Sequence, residues 1–245
     1  KGGGYNASAS KNGDIEFEPE ESTTYEIGVK GNYFGGAARL NVAVFHTVFE
    51  DLQVSTFDGT DYIVDNAAEA VSQGVELEGM ALLPGGLMLT ANYSRLDASY
   101  DAFPRGSCQT QHRSEEPAGS PDFCDLSGAT LANAPESQYS ISLGYFNSLG
   151  SLPFDFVMGL DYYWQDEVFL QTDLDPEDAQ EAYALWNGRI GLRADDEQWA
   201  LTVFVKNITN EVVLTASNDV PLFSGAHAGA IETPRTVTAN FKIRY

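Results

Sequence analysis

No run in these 245 residues approaches the roughly 18 consecutive apolar side chains that a membrane-crossing helix requires. Apolar spacing at three and four residues is sustained nowhere, so long helices of any kind are not expected. Basic residues are scarce: 13 Lys and Arg stand against 36 Asp and Glu, a net charge of −23. That sign repels phosphates and makes nucleic acid an unexpected partner. The same excess also suits a solvated acidic face, so it carries little specificity by itself. No nucleophile motif, Gly-rich phosphate loop or zinc-ligand spacing is present, and neither enzymatic activity nor a cofactor is expected. The chain begins at Lys1 without an initiator Met or an apolar leader, and reads as a fragment.

Cysteine is nearly absent, and the two that occur, Cys108 and Cys124, lie close together in the most polar and Pro/Gly-rich stretch. A loop disulfide in an oxidising compartment is the expected pairing, with a metal pair or two free thiols as the alternatives. Such a bridge contributes roughly 3 kcal/mol by loop entropy.

What the sequence does contain is alternation. In the final segment Val237, Ala239, Phe241, Ile243 and Tyr245 share one face, while Thr236, Thr238, Asn240, Lys242 and Arg244 share the other. Period two with complete separation marks a strand between an apolar and a polar medium. The same pattern predicts nine strands, at Thr23 to Phe34, Ala37 to Val54, Gln73 to Leu83, Leu87 to Tyr100, Ser137 to Phe146, Pro153 to Phe169, Ala182 to Ala194, Gln198 to Ile208 and Pro234 to Tyr245. Mean hydropathy is mildly negative, which is compatible with a membrane barrel because only every second side chain of each strand meets lipid.

The connections fall into two kinds. Short turns are expected at Gly35-Gly36, Pro84-Gly85-Gly86, Ser148 to Ser151 and Asp195-Asp196-Glu197. Long polar loops are expected at Ser55 to Ser72, Asp101 to Glu136, Leu170 to Glu181 and Thr209 to Thr233. Outer-membrane barrels place short turns at the periplasmic rim and long loops outside, so the C-terminus is expected to be periplasmic and both cysteines extracellular. Aromatics gather near strand ends, with Tyr33, Phe34, Tyr145, Phe154, Trp199 and Tyr245 towards the turns and Tyr25, Tyr93, Tyr162 and Trp164 towards the loops, as in two interfacial girdles. Nine strands cannot close as a wholly antiparallel barrel, so further strands are expected before Lys1. The predicted fold is therefore all-β, a segment of an antiparallel up-and-down transmembrane β-barrel.

Three segments carry a family resemblance. Pro19-Glu20, followed by Tyr25-Glu26-Ile27-Gly28-Val29-Lys30, is one. The second runs from Glu50-Asp51-Leu52-Gln53 through Asn66-Ala67-Ala68 to Gly74-Val75-Glu76-Leu77-Glu78. The third is Val205-Lys206-Asn207-Ile208-Thr209-Asn210, completed by Pro234-Arg235-Thr236 and the terminal Tyr245. Together they resemble the C-terminal barrel region of TonB-dependent outer-membrane receptors. The resemblance implies that residues 1–245 form roughly the last nine of about 22 strands, with the plug domain and the TonB-coupling box outside this chain. It also implies uptake of a scarce nutrient, by default a ferric siderophore, with cobalamin or carbohydrate as competitors. Implied partners are outer-membrane lipid, TonB, the barrel-assembly machinery, which would read Tyr245, and a small-molecule ligand. A passive porin or an adhesin barrel is the alternative reading, and a soluble carbohydrate-binding sandwich a third.

Ligand-contact candidates are Tyr163, Gln165, Tyr183 and Asn187, which point inward near the loop ends of adjacent strands. Lumen-lining polar side chains without a ligand are the simpler account of all four. Glu76 and Glu78 are expected to face inward. His46, His112 and His227 lie in unrelated elements, so no metal site is expected from them. The acidic cluster Asp173, Asp175, Glu177, Asp178 and Glu181 could offer hard oxygens to Ca²⁺, but it lacks EF-hand spacing and is read as a solvated loop.

Overall fold

The computed structural model describes residues 1–7, 15–57, 62–109, 123–148, 150, 152–194, 198–220, 223 and 225–244. Nine strands form one sheet: β1 (Glu21–Tyr33), β2 (Ala38–Phe57), β3 (Tyr62–Leu83), β4 (Leu87–Ala102), β5 (Ser137–Ser148), β6 (Phe154–Gln165), β7 (Tyr183–Ala194), β8 (Trp199–Lys206) and β9 (Thr236–Ile243). Each strand pairs antiparallel with its sequence neighbours, in the order β9 to β1, which is an up-and-down meander. β1 and β9 form the two edges and do not pair with each other, so the sheet is part of a barrel and not a closed one.

Register converts the alternation of single strands into two continuous faces. Val29, Val42, Leu77, Tyr93, Tyr139, Trp164 and Ala184 are successive cross-strand partners. Lower down, Leu83, Leu87, Tyr145, Met158, Ile190, Val203 and Ala239 form a second such row. The opposite face presents Lys30, Asn41, Glu78, Asn92, Ser140 and Tyr163 in register. Glu76 and Glu78 lie on this polar face, where Glu78 accepts a hydrogen bond of 2.9 Å from Asn41 Nδ2.

Aromatics bound the apolar face on both sides. Near the short turns Tyr145 lies 6.1 Å from Phe156, and Phe154 lies 6.3 Å from Trp199, centroid to centroid. Near the loops Tyr139 stacks on Trp164 at 5.1 Å, and Tyr162 meets Trp186 at 4.5 Å. From Phe154 to Trp164 a strand rises about 33 Å. Tilted by roughly 40°, that span covers an apolar band about 25 Å tall. Beyond the upper aromatics the same face turns polar: Gln73 Nε2 donates to Asp97 Oδ2 at 3.0 Å, and Arg95 pairs with Glu136.

At the Pro84-Gly85-Gly86 turn, Gly85 and Gly86 sit at φ 81° and 82°. A Cβ on Gly86 would lie 2.1 Å from the Phe146 carbonyl oxygen, so backbone approach as well as φ requires glycine there. Phe34, Gly35 and Gly36 also have positive φ and reverse the chain between β1 and β2. The turn at 195–197 lies outside the described residues, as does Tyr245.

The structure corrects two predicted connections. Within Thr209 to Thr233, Leu214–Asp219 and His227–Ile231 pair as a hairpin. Ser55 to Ser72 is not a loop: β2 and β3 run on for 20 and 22 residues and pair as far as Phe57 with Tyr62. Alternation fails as a signal there because the hairpin stands above the apolar band, and its buried side chains Val54, Ala68 and Ala70 continue the face that is polar lower down. A register shift between Phe49 and Leu52, with Asp51 at φ 53°, further breaks the period. That bulge lets Phe49 and Leu52, three residues apart, meet the same hydrophobic cluster. The cluster is the core of the described residues: Val54, Ala68, Ala70, Tyr100 and Phe103, with Phe49, Leu52, Leu126 and Leu131 against it. It lies at the loop rim and not within the barrel wall. Cys108 and Cys124 are joined by a disulfide beside it, and Gly106 pairs with Cys124 through two 2.9 Å backbone hydrogen bonds.

Candidate functional site

The polar face beneath the loop rim is the surface a ligand inside the barrel would meet. Paired register aligns Tyr183 with Gln165, Leu185 with Tyr163 and Asn187 with Asp161, so all four predicted contact residues occupy one side of β6 and β7. The Tyr163 hydroxyl donates to Gln165 Oε1 at 2.7 Å, with Gln138 Oε1 3.2 Å away, and its ring lies 6.0 Å from Tyr183. Gln165 and Tyr183 line a cleft of about 430 Å³ with Gln138, Gln180 and Glu232. Tyr163 borders a neighbouring cleft with Glu76, Glu78 and Ser140, and Asn187 a third with Lys206 and Glu232. The group therefore offers aromatic faces and neutral amides, with the carboxylates of Glu76, Glu78 and Glu232 and the Lys206 ammonium around them. Gln138 joins it from β5, and its only sequence signal was its place on the polar face of a predicted strand.

Asn187 also has a structural task. Its Oδ1 accepts from the Asn207 N–H at 2.9 Å. Asn207, buried at φ 51°, donates from Nδ2 to the Glu211 carbonyl and accepts from the Glu211 N–H, both at 2.8 Å. Asn210, at φ 57°, accepts from the Arg235 N–H at 3.1 Å. Asparagine tolerates the left-handed region and mimics backbone hydrogen bonding, which explains both asparagines of the motif after β8. Asn207→Ala is expected to lower stability by about 2 kcal/mol through two lost hydrogen bonds and a strained φ. A denaturant melt of the full-length protein measures this, and a change below about 0.5 kcal/mol would assign the motif another role.

The upstream motifs are likewise hydrogen-bonding devices. Asn66 accepts from the Glu18 N–H at 2.6 Å and donates to the Glu18 and Asp51 carbonyls at 2.9 and 2.8 Å. Gln53 donates to the Gly2 and Glu18 carbonyls at 3.0 Å each, and its N–H donates to Glu20 Oε2 at 3.2 Å. They fasten the segment before β1 to the tall hairpin.

The acidic loop differs from its reading as a solvated surface. Asp175 caps the short 3₁₀ turn Pro176–Asp178 by accepting from the Glu177 N–H at 2.9 Å. Asp173, Asp175 and Asp178 are buried, whereas Glu177 and Glu181 are exposed. They are covered by the hairpin of Leu214–Asp219 and His227–Ile231, which also brings Asp219 and His227 to the cluster. Burial, then Asp219, pushes the Asp173 carboxyl up to about 7. Burial works to lower the His227 pKa, but Asp178, with Asp219 and Asp175, outweighs it and the net shift is upward. His46 is bonded to Gln73 at 3.3 Å, and His112 lies outside the described residues.

Residues 2–208 match the sequence model of a family described as TonB dependent receptor-like, beta-barrel. Among solved structures, the chain is similar to the ferric yersiniabactin uptake receptor FyuA from Yersinia pestis, with TM-score 0.73 and 18% identity over 99% of this chain and 33% of that one. The siderophore receptor PiuA from Acinetobacter baumannii gives TM-score 0.69 and 19% identity over 94% and 29%. A copper transporter, OprC, gives TM-score 0.67 and 13% identity over 95% and 34%. The chain thus spans about a third of the length of these proteins.

Proposed function

The chain belongs to the TonB-dependent receptor β-barrel family, and from that premise we propose that it supplies the C-terminal nine strands of an outer-membrane receptor for energy-coupled nutrient uptake. In this reading the complete barrel has about 22 strands, and the plug and TonB-coupling segment belong to the rest of the protein. The short turns face the periplasm and the tall hairpins and loops face outward. Tyr245 contributes to the signal read by the barrel-assembly machinery. The ligand is a ferric siderophore: one of the similar structures is named a siderophore receptor and another a ferric yersiniabactin uptake receptor.

The observation that carries the reading is the cleft under the loops, where Gln165 and Tyr183 meet Gln138 and Gln180. Together with Tyr163 and Asn187 these side chains form the wall of a binding vestibule that the plug would complete from below. Aromatic faces and amides suit a polar organic chelator, whose groups they can stack on and hydrogen-bond.

The test is uptake of radiolabelled ferric siderophores by cells carrying the full-length receptor, with and without TonB. Uptake that requires both receptor and TonB is expected, with Tyr183→Ala and Gln165→Ala weakening binding by about tenfold, or about 1.4 kcal/mol. Uptake indifferent to TonB would make the protein a passive channel, and failure of every siderophore tried would remove the ligand class.

A further inference from the structure

On the loop rim, beside the vestibule cleft, two segments distant in sequence converge. Asp175 caps the 3₁₀ turn before β7 and Asp178 ends it, and at about three residues per turn their side chains share one side of it. Asp219 and His227 end the two paired strands of the hairpin before β9 and are register partners. Each of the four offers one donor atom, and these atoms all lie within 4.8 Å of one another.

Hydrogen bonding within the cluster does not exhaust it. Asp178 is completely buried; its Oδ1 receives the Ser217 hydroxyl and lies 3.1 Å from His227 Nδ1. Its Oδ2 is equally buried and has no hydrogen-bond partner. Asp219 Oδ1 is also buried without a hydrogen bond, 3.4 Å from His227 Nδ1. Two buried carboxylate oxygens without donors are costly unless a cation meets them.

We propose that Asp175, Asp178, Asp219 and His227 bind one divalent transition-type cation that staples the two loops together. Three carboxylates and an imidazole favour Zn²⁺ or Mn²⁺ over Ca²⁺, which takes oxygen ligands alone. Separations of 3.1 and 3.4 Å between donors match neighbouring ligands around a centre with bonds of about 2.1 Å. The ion is a structural element of the loop rim, independent of which nutrient the receptor carries.

The experiment uses full-length receptor in detergent, stripped with a chelator and dialysed against ZnCl₂, MnCl₂ or CaCl₂, with bound metal counted by mass spectrometry. Wild type is expected to hold one equivalent of Zn²⁺ or Mn²⁺ more than Asp219→Asn or His227→Gln, and Ca²⁺ is expected to bind at least about tenfold more weakly. Each variant should lose at least about tenfold in affinity. Asp219→Asn keeps the shape of a partly exposed side chain, and the heat-modifiable gel shift of the barrel confirms that the variants are folded. Bound metal that is equal in wild type and both variants would overturn the proposal, as would metal-free wild type. A protonated His227 bonded to Asp178 would then account for the cluster.

Discussion

Leu160→Arg is expected to destabilise the full-length barrel in lipid vesicles by about 2–4 kcal/mol, whereas Ser142→Arg, one strand away, should change stability by less than about 0.5 kcal/mol. Leu160 lies between the two aromatic bands on β6, with Leu143 and Gly188 as cross-strand partners, and it is 41% exposed in the sheet. In a barrel that exposure is to acyl chains, where a guanidinium loses its hydration. Ser142 points to the other face, opposite Asp161, where an arginine would meet water and a carboxylate. The pair of substitutions tests register as well as orientation, because a slip of one residue exchanges the faces. A denaturant titration in which the serine variant lost more than the leucine variant would mean that the apolar face is not the lipid face.

Phe103→Ala is expected to cost about 3–5 kcal/mol, the range for truncating a buried aromatic residue. Phe103 is fully buried, its ring 4.7 Å from Tyr100, and its N–H donates to Ser127 Oγ at 2.9 Å. The loss should be local. Its neighbours Val54, Ala68 and Ala70 lie on the part of the β2–β3 hairpin above the apolar band, and Leu126 and Leu131 come from the loop after β4. Hydrogen exchange in the full-length receptor should show faster exchange at residues 98–103 and 126–131 with the β5–β8 wall unchanged. Equal loss of protection in the wall would show that the loop rim and barrel unfold as one cooperative unit.

The contrast between these sites also explains how much was legible in the sequence. Period two is readable where the two sides of a strand meet different solvents, and all nine strands crossing the apolar band were found on that ground. Above the band loop residues bury Val54, Ala68 and Ala70 on the face that is polar lower down. Asp65 and Glu69 interrupt the apolar pattern, and residues 55–72, the tip of β2 and the outer half of β3, were taken for a loop. The faces of Tyr163, Gln165, Tyr183 and Asn187 followed from alternation, but the hold of Asn187 on Asn207 depended on how the chain turns after β8. The acidic loop failed for a different reason. Nothing local distinguishes buried Asp178 from exposed Glu177; the difference comes from a hairpin about 40 residues later folding over one of them.

The loop-to-loop hydrogen bonds constrain how the mouth of the barrel can move. Gln109 of the disulfide-bearing loop donates to the Leu174 carbonyl at 3.0 Å, and the Asn133 N–H donates to the Phe169 carbonyl at 2.8 Å. Gln171 then reaches Ser217 and Asn218, and Gln180 accepts from the Leu214 N–H. Asn6 clasps Val64 on the far side through two bonds, of 2.8 and 2.9 Å. Segments joined in series in this way cannot swing aside one at a time. Among the described residues, displacing one of these loops entails breaking or carrying along its hydrogen bonds to the next.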